Sequence, residues 1–62
     1  MRAVWVFWDE FGGIYVYSNL SILCRLNDIE DRYQRIYRAV RNHGIYKEDT
    51  FNIRKFLING HR

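Results

Sequence analysis

Two short hydrophobic runs near the start of the chain predict a β-hairpin. Residues 3–8 are β-branched or aromatic almost throughout, and Ile14–Tyr17 has the same character. The segment between them ends in paired glycines, which supply the positive φ angles that a tight reversal needs. Both runs are apolar on both faces. We therefore expect one sheet face to cover helices and the other to leave aromatic side chains half exposed or covered by a partner. Trp5 and Phe7 are expected on the same side of their strand.

The following segment changes to the spacing of a short amphipathic helix over Leu20–Leu26. Leucine and cysteine recur there at the i, i+3 and i+4 positions of one helix face, behind the capping residues Ser18 and Asn19. An Asn-Asp pair then indicates a turn. Cys24 lies on the inner stripe of this helix, and no base is paired with it in the pattern. We interpret it as a buried structural thiol and not as a nucleophile.

A second helix is predicted between Asp31 and Gly44, with an apolar face and a basic face. The apolar stripe, which Ile29 extends on a helical wheel, comprises Tyr33, Ile36, Tyr37 and Val40. The arginines recur every third residue, at Arg32, Arg35, Arg38 and Arg41. Asp28 or Asp31 is expected to cap the start of this helix. Gly44 is expected to end it, because glycine readily adopts the left-handed conformation just past a helix C-terminus.

The remainder of the chain predicts one more strand. Residues 46–50 are expected to form a polar loop, Phe51–Ile58 a third strand beside the first strand of the hairpin, and residues 59–62 a frayed tail. The element order is then ββααβ. This order predicts a single α+β domain of 62 residues, in which a hairpin and a C-terminal third strand form one small sheet packed on a pair of helices.

The charge of the chain is divided between its two halves. Residues 1–31 carry two basic and five acidic side chains, a net charge of −3, whereas residues 32–62 carry eight basic and two acidic side chains, a net charge of +6. An anionic partner is therefore expected to meet the C-terminal half. The alternative is that these charges are a solvated surface that keeps a small protein in solution.

Cysteine usage and hydropathy indicate a soluble, cytoplasmic protein. One cysteine excludes an internal disulfide, and no cluster of cysteine and histidine offers a structural metal site. The apolar run after Met1 is too short for a signal peptide and far below the length of about 20 residues that a membrane span needs. We expect no membrane association and no cofactor.

The helix pair carries the main functional hypothesis, which is a helix-turn-helix arrangement that binds duplex DNA. In that arrangement the second helix enters the major groove. Arginine and glutamine are the side chains that bond guanine and adenine edges, so Gln34, Arg35 and Arg38 are the expected readers of sequence. Arg32 and Arg41 are expected to hold the phosphate backbone, and Lys47 completes the candidate set.

The same residues resemble a known family of modules. The segments that carry the resemblance are Y-S-N-L-S-I-L-C at 17–24, Leu26, Y-Q-R-I-Y-R-A-V-R at 33–41, Gly44 and F-N-I at 51–53. Over about residues 14–53 the chain resembles the modular DNA-binding repeats appended to homing endonucleases. Those repeats have an aromatic strand end, a capped S-L-x-x-A-A helix, an I-x-R-x-L-K helix, a glycine and a short closing strand.

The resemblance implies duplex DNA contact through Arg35 and Arg38. Similar small proteins are common in gut bacteria and their phages, which suggests a regulatory protein or one from a phage or mobile element. Two departures from the family pattern are visible. Leu23 and Cys24 replace the alanine pair, and an acidic turn at residues 27–31 replaces a turn that contains glycine.

A second hypothesis concerns the aromatic residues of the hairpin. Trp5, Phe7, Tyr15 and Tyr17 would form a stacking platform for unpaired bases, with Arg54 and Lys55 of the third strand supplying charge. The same aromatics are alternatively core or an interface. In that case the protein is an interaction module or a small homodimer that uses an exposed aromatic sheet face, with no binding of nucleic acid.

The sequence offers no catalytic motif, so we expect a binding protein and not an enzyme. His43 and His61 have no cysteine or carboxylate at metal-ligand spacing, and His43 is interpreted as a favourable cation at a helix C-terminus. The acidic pairs at residues 9–10 and 48–49 fall in loops and are interpreted as solvated groups.

Overall fold

The computed structural model describes residues 2–58, and the predicted tail at residues 59–62 falls outside them. The fold is α+β, as predicted. In chain order its elements are β1 (Arg2–Asp9), β2 (Ile14–Tyr17), α1 (Leu20–Leu26), a 3-10 turn (Glu30–Arg32), α2 (Tyr33–His43), β3 (Ile45–Lys47) and β4 (Phe51–Ile58).

The strands form one antiparallel sheet in the order β2-β1-β4-β3. The predicted position of the last strand beside the first is confirmed, because β4 pairs with β1 along its whole length, from Arg2 with Ile58 to Asp9 with Phe51. The prediction of three strands is wrong, since Ile45–Lys47 forms a fourth. Three residues are too few to show the alternation of apolar and polar positions that predicts a strand. This strand exists because β4 supplies its hydrogen bonds and because Tyr46 is buried.

The hairpin loop is held by one carboxylate. The backbone N–H groups of Phe11 and Gly13 donate to Asp9 Oδ1 at 2.9 and 2.7 Å. Gly12 has the expected positive φ of 87°, whereas Gly13 does not have a positive φ. A Cβ at Gly13 would lie 2.6 Å from Asp9 Oδ2, so a larger residue there would require the Asp9 side chain to move. Asp9 is therefore part of the turn and not only a solvated group.

Helix α1 begins and ends through local hydrogen bonds. Asn19 caps its start, as expected, by accepting from the Ile22 N–H at 2.9 Å. At its end Asp28 adopts a left-handed conformation with φ 62°. The N–H of Ile29 donates to the Cys24 carbonyl at 2.9 Å, which is the 6→1 hydrogen bond of a Schellman motif. The turn between the helices thus places Ile29 in the core.

Helix α2 ends as predicted but begins differently. Gly44, with φ 82°, donates its N–H to the Val40 carbonyl and ends the helix. No side chain of the described chain caps its start, so the prediction of Asp28 or Asp31 as the cap is wrong. Asp28 instead ends α1, and Asp31 lies inside the 3-10 turn that leads into α2.

Both helices pack on one face of the sheet and form a single core with it. Leu23, Ile36 and Ile53 are completely buried at its centre. The predicted inner stripe of α2 is largely confirmed: Ile36 and Val40 are buried and Tyr33 packs against the core, while Tyr37 stays 40% exposed. Trp5 and Phe7 also lie in this core. No helix among residues 2–58 is long and apolar enough to cross a membrane.

Candidate nucleic-acid interface

The side of α2 that faces away from the core is polar and basic. We define the outer surface of α2 as the exposed residues Gln34, Arg35, Arg38, Arg41 and Asn42. It lies opposite the buried Ile36 and Val40 because residues three or four apart share one face of a helix. Within residues 2–58 no carboxylate lies within ion-pair distance of Arg35, Arg38 or Arg41. Four of the six predicted site residues therefore lie together.

Arg32, predicted as a phosphate contact, already has anionic partners in the fold. Its guanidinium lies 3.2 Å from both carboxylate oxygens of Glu48 and 3.9 Å from Asp31. Tyr46 donates its hydroxyl to the same Glu48 carboxylate. These contacts join β3 and the loop after it to the start of α2. Local sequence patterns do not indicate these contacts, because Arg32 and Glu48 are 16 residues apart.

The electrostatic surroundings of Tyr46 also locate Arg35. Burial and the neighbouring Glu48 carboxylate raise the pKa of the Tyr46 phenol, while the nearby Arg35 guanidinium lowers that pKa by less. Arg35 therefore lies next to this polar cluster at the β3 side of α2. Of the three arginines on the outer surface, Arg38 and Arg41 are farther along the helix, toward its C-terminus.

Lys47 does not lie on the outer surface of α2. Successive side chains of a strand point to opposite faces of the sheet, and Tyr46 points into the core under the helices. Lys47 consequently points to the other face, level with Asn52 of β4. Lys47 therefore lies on a different face of the molecule from the arginines on the outer surface of α2.

Lys55 lies on the helix side of the sheet, near the end of α2. It pairs across the sheet with Trp5, so both side chains project on the helix side, and its Nζ lies 5.5 Å from the Trp5 ring centroid. Ile45, which follows the end of α2, pairs with Arg54, the neighbour of Lys55. At the same end the Arg41 guanidinium lies 5.9 Å from the Tyr37 ring centroid. The sequence predicts Lys55 beside the hairpin aromatics, and Lys55 does lie against Trp5; its position near the end of α2 was not predicted.

The charges separate along the length of α2. The pairing of Asp9 with Phe51 brings the β1–β2 and β3–β4 loops to the same end of the sheet, and the Arg32–Glu48 ion pair brings the start of α2 there as well. We define this end as the acidic end, because it contains Asp9, Glu10, Glu30, Asp31, Glu48 and Asp49. The basic end contains Arg2, Arg41, His43 and Lys55. A polyanion is therefore attracted to the C-terminal half of α2 and repelled from its N-terminal end.

Cys24 is buried, as predicted. Burial, together with Glu30 and Asp31, raises the pKa of its thiol. The thiolate is the nucleophilic form of cysteine, so this environment opposes nucleophilic chemistry. In the part of the chain that the structure describes, no three His, Cys, Asp or Glu side chains cluster in a way that would hold a metal ion.

Comparisons with protein-family models, with curated proteins and with solved structures found no match to this chain.

Proposed function

We propose that this protein is a DNA-binding module of helix-turn-helix type and that duplex DNA lies against the outer surface of α2. The observation that carries the proposal is the exposed group of Gln34, Arg35, Arg38 and Arg41, on a helix whose other side is fixed in the core. These side chains are suited to bond base edges and phosphates. Arg32, held by Glu48, then positions the helix and does not contact phosphate.

The charge distribution favours one orientation on the duplex. In helix-turn-helix proteins the N-terminal residues of the second helix usually contact the bases. Here that end lies at the acidic end of the molecule, beside Glu30, Asp31 and Glu48. We therefore infer that the C-terminal half of α2 approaches most closely, with Arg38 at the bases and Arg41 and Lys55 at phosphates.

The order of elements agrees with this proposal. From Tyr17 to Ile53 the chain has a capped helix, a second helix, a left-handed glycine and a closing strand, as in the homing-endonuclease repeats that the sequence resembles. The short strand β3, between the glycine and the closing strand, is an addition to that order. On that basis we propose a binding protein and not an enzyme, regulatory or carried by a phage or mobile element. The free Cys24 and a DNA ligand are consistent with a cytoplasmic location.

The salt dependence of binding tests this proposal. The two phosphate contacts inferred for Arg41 and Lys55 predict that the logarithm of the association constant falls with the logarithm of salt concentration with a slope of about −2. A fluorescence anisotropy titration of a mixed-sequence duplex at several salt concentrations measures this slope. An absence of binding at low salt, or a slope near zero, contradicts the proposal.

The sequence also left open an interaction module or homodimer that uses an aromatic sheet face. Trp5 and Phe7 are in the core and are not available to a partner. The predictions of an interaction face and of a base-stacking platform are therefore wrong at these two residues. Arg54 and Lys55 moreover point to opposite faces of the sheet. The sheet face that the helices leave uncovered consists of other residues.

A further inference from the structure

One face of the sheet is not covered by either helix. The open face, as we call it, consists of the alternate strand positions that point away from the core. It comprises Arg2, Val4, Val6 and Trp8 of β1, Ile14 and Val16 of β2, Ile45 and Lys47 of β3, and Asn52, Arg54, Phe56 and Ile58 of β4. Val4 and Val6 lie outside the core cluster and are nevertheless buried by their neighbours on this face. Val16 is 62% exposed and Phe56 43%.

A groove on the open face combines aromatic rings with hydrogen-bonding groups. The rings of Trp8 and Phe56 meet edge to face, with centroids 6.1 Å apart. Together with Asn52 and Arg54, and with Asp9 at one end, they line a groove of about 380 Å³. Ring faces stack on planar ligands, an amide bonds the edge of a base, and a guanidinium binds phosphate.

The charges of the open face favour an anionic ligand. Among the strand positions of the open face that the structure describes, the ionisable side chains are Arg2, Lys47 and Arg54, and all three are cations. Asp9 reaches the end of the groove, but its Oδ1 accepts the N–H groups of Phe11 and Gly13. A second copy of the chain packed on this face would bury the central Arg54 with no carboxylate of the same face to pair with it, which is costly.

We propose that the open face binds single-stranded nucleic acid, with unpaired bases stacked on Trp8 and Phe56 and phosphate at Arg54. This site lies on the opposite side of the sheet from α2 and does not depend on the duplex-binding proposal. The aromatic residues named from the sequence for base stacking lie on the helix face, so the site comprises a different set of residues. Stacking tolerates any base, and we expect little sequence preference.

Matched controls are available for the test, because neighbouring residues of β4, such as Phe56 and Leu57, point to opposite faces of the sheet. The probe is a fluorescently labelled oligothymidylate of about 10 nucleotides, which is within the usual range for one such site. We expect Phe56→Ala to weaken its binding about 10-fold or more, as for the loss of one stacked base. Arg54→Ala is expected to weaken binding and to make the salt slope shallower by about 0.7. The control for Phe56→Ala is Leu57→Ala, and the control for Arg54→Ala is Arg25→Ala at an exposed arginine of α1. Both controls are expected to leave binding unchanged.

Several outcomes would overturn this proposal. One is that the unaltered protein does not bind the oligothymidylate. Another is that a variant and its control lose the same amount of oligothymidylate binding. A third is that polyglutamate binds as tightly as the oligothymidylate. Sedimentation that shows a dimer disrupted by Phe56→Ala would assign the face to a second copy of the chain. Circular dichroism verifies that each variant folds. If Phe56→Ala unfolds, Arg54→Ala still tests the proposal, because Arg54 is exposed. Arg38→Ala should weaken binding of duplex only, so the two proposals fail independently.

Discussion

At the scale of single residues, the positions of arginines on α2 distinguish base recognition from simple charge. Arg38 lies directly opposite the buried stripe, whereas Arg41 lies nearer its flank and close to the Tyr37 ring. If the proposed orientation is correct, Arg38→Ala should weaken binding to a specific site by about 1 to 3 kcal/mol and scarcely affect random DNA. Arg41→Ala should weaken binding to all sequences alike and lower the magnitude of the salt slope by about one.

The measurement is a pair of titrations, one with a duplex selected from a random library and one with a scrambled duplex. Arg25→Ala is a suitable control because Arg25 is an exposed arginine on α1. Equal losses on every sequence for both variants of α2 would show an electrostatic contact without recognition of bases. No loss for either would show that these arginines are a solvated surface.

At the scale of elements, the turn between the helices contains strain that a substitution can remove. Asp28 has φ 62°, a conformation that costs most residues with a Cβ about 1 to 2 kcal/mol and costs aspartate less. Glycine adopts it without that cost, so Asp28→Gly should raise the melting temperature by about 4 °C or more, if it gains about 1 kcal/mol. Asp31→Gly, in the 3-10 turn, should lower the melting temperature. Stabilisation by both variants or by neither would contradict this account.

The inner side of α2 supplies a test of the core. Ile36 is completely buried with Leu23 and Ile53. Ile36→Ala should cost about 2 to 4 kcal/mol, because it removes buried methyl groups and leaves a cavity. That loss would unfold much of a domain of this size. Chemical denaturation measures it, with the exposed Gln34→Ala as a control expected to stay within about 0.5 kcal/mol. A small effect of Ile36→Ala would mean that α2 does not pack by this side.

At the scale of the whole molecule, stability should fall in alkaline solution. The pKa values of Tyr46 and of Cys24 are both raised in the folded protein by burial and by nearby carboxylates. A raised pKa means that the folded state holds its proton more firmly than the unfolded state, so its contribution to stability is complete below the unfolded pKa. The ordinary pKa is about 9 for the thiol and about 10 for the phenol. As the pH rises above these values, the contribution to stability declines, and the decline ends when the pH has passed the pKa values of the folded protein.

Thermal melts between neutral pH and about pH 11 test this expectation, since that interval spans the ordinary pKa values of both groups. Tyr46→Phe should make the decline above about pH 10 shallower. The exposed Tyr37→Phe serves as a control and should keep the full decline. A Tyr46→Phe profile that is parallel to that of the unaltered protein would show that the phenol does not contribute.

Sequence patterns sufficed to predict those parts of the fold whose causes are local. The hairpin, the Asn19 cap, the apolar stripe of α2 and the end of α2 at Gly44 each depend on residues within a few positions of one another. The start of α2 was assigned wrongly, because a Schellman motif at Asp28 competes with an aspartate cap, and the sequence pattern does not decide between them.

Features that depend on pairing between residues far apart in the chain could not be predicted from local patterns. Strand β3 exists through its pairing with β4, and Arg32 was removed from the candidate contacts by Glu48, 16 residues away. The face on which Lys47 lies follows from sheet register, which a shift of one residue would reverse. For the same reason the stacking aromatics are Trp8 and Phe56, which the register brings together on the open face, while Trp5 and Phe7 are buried under the helices.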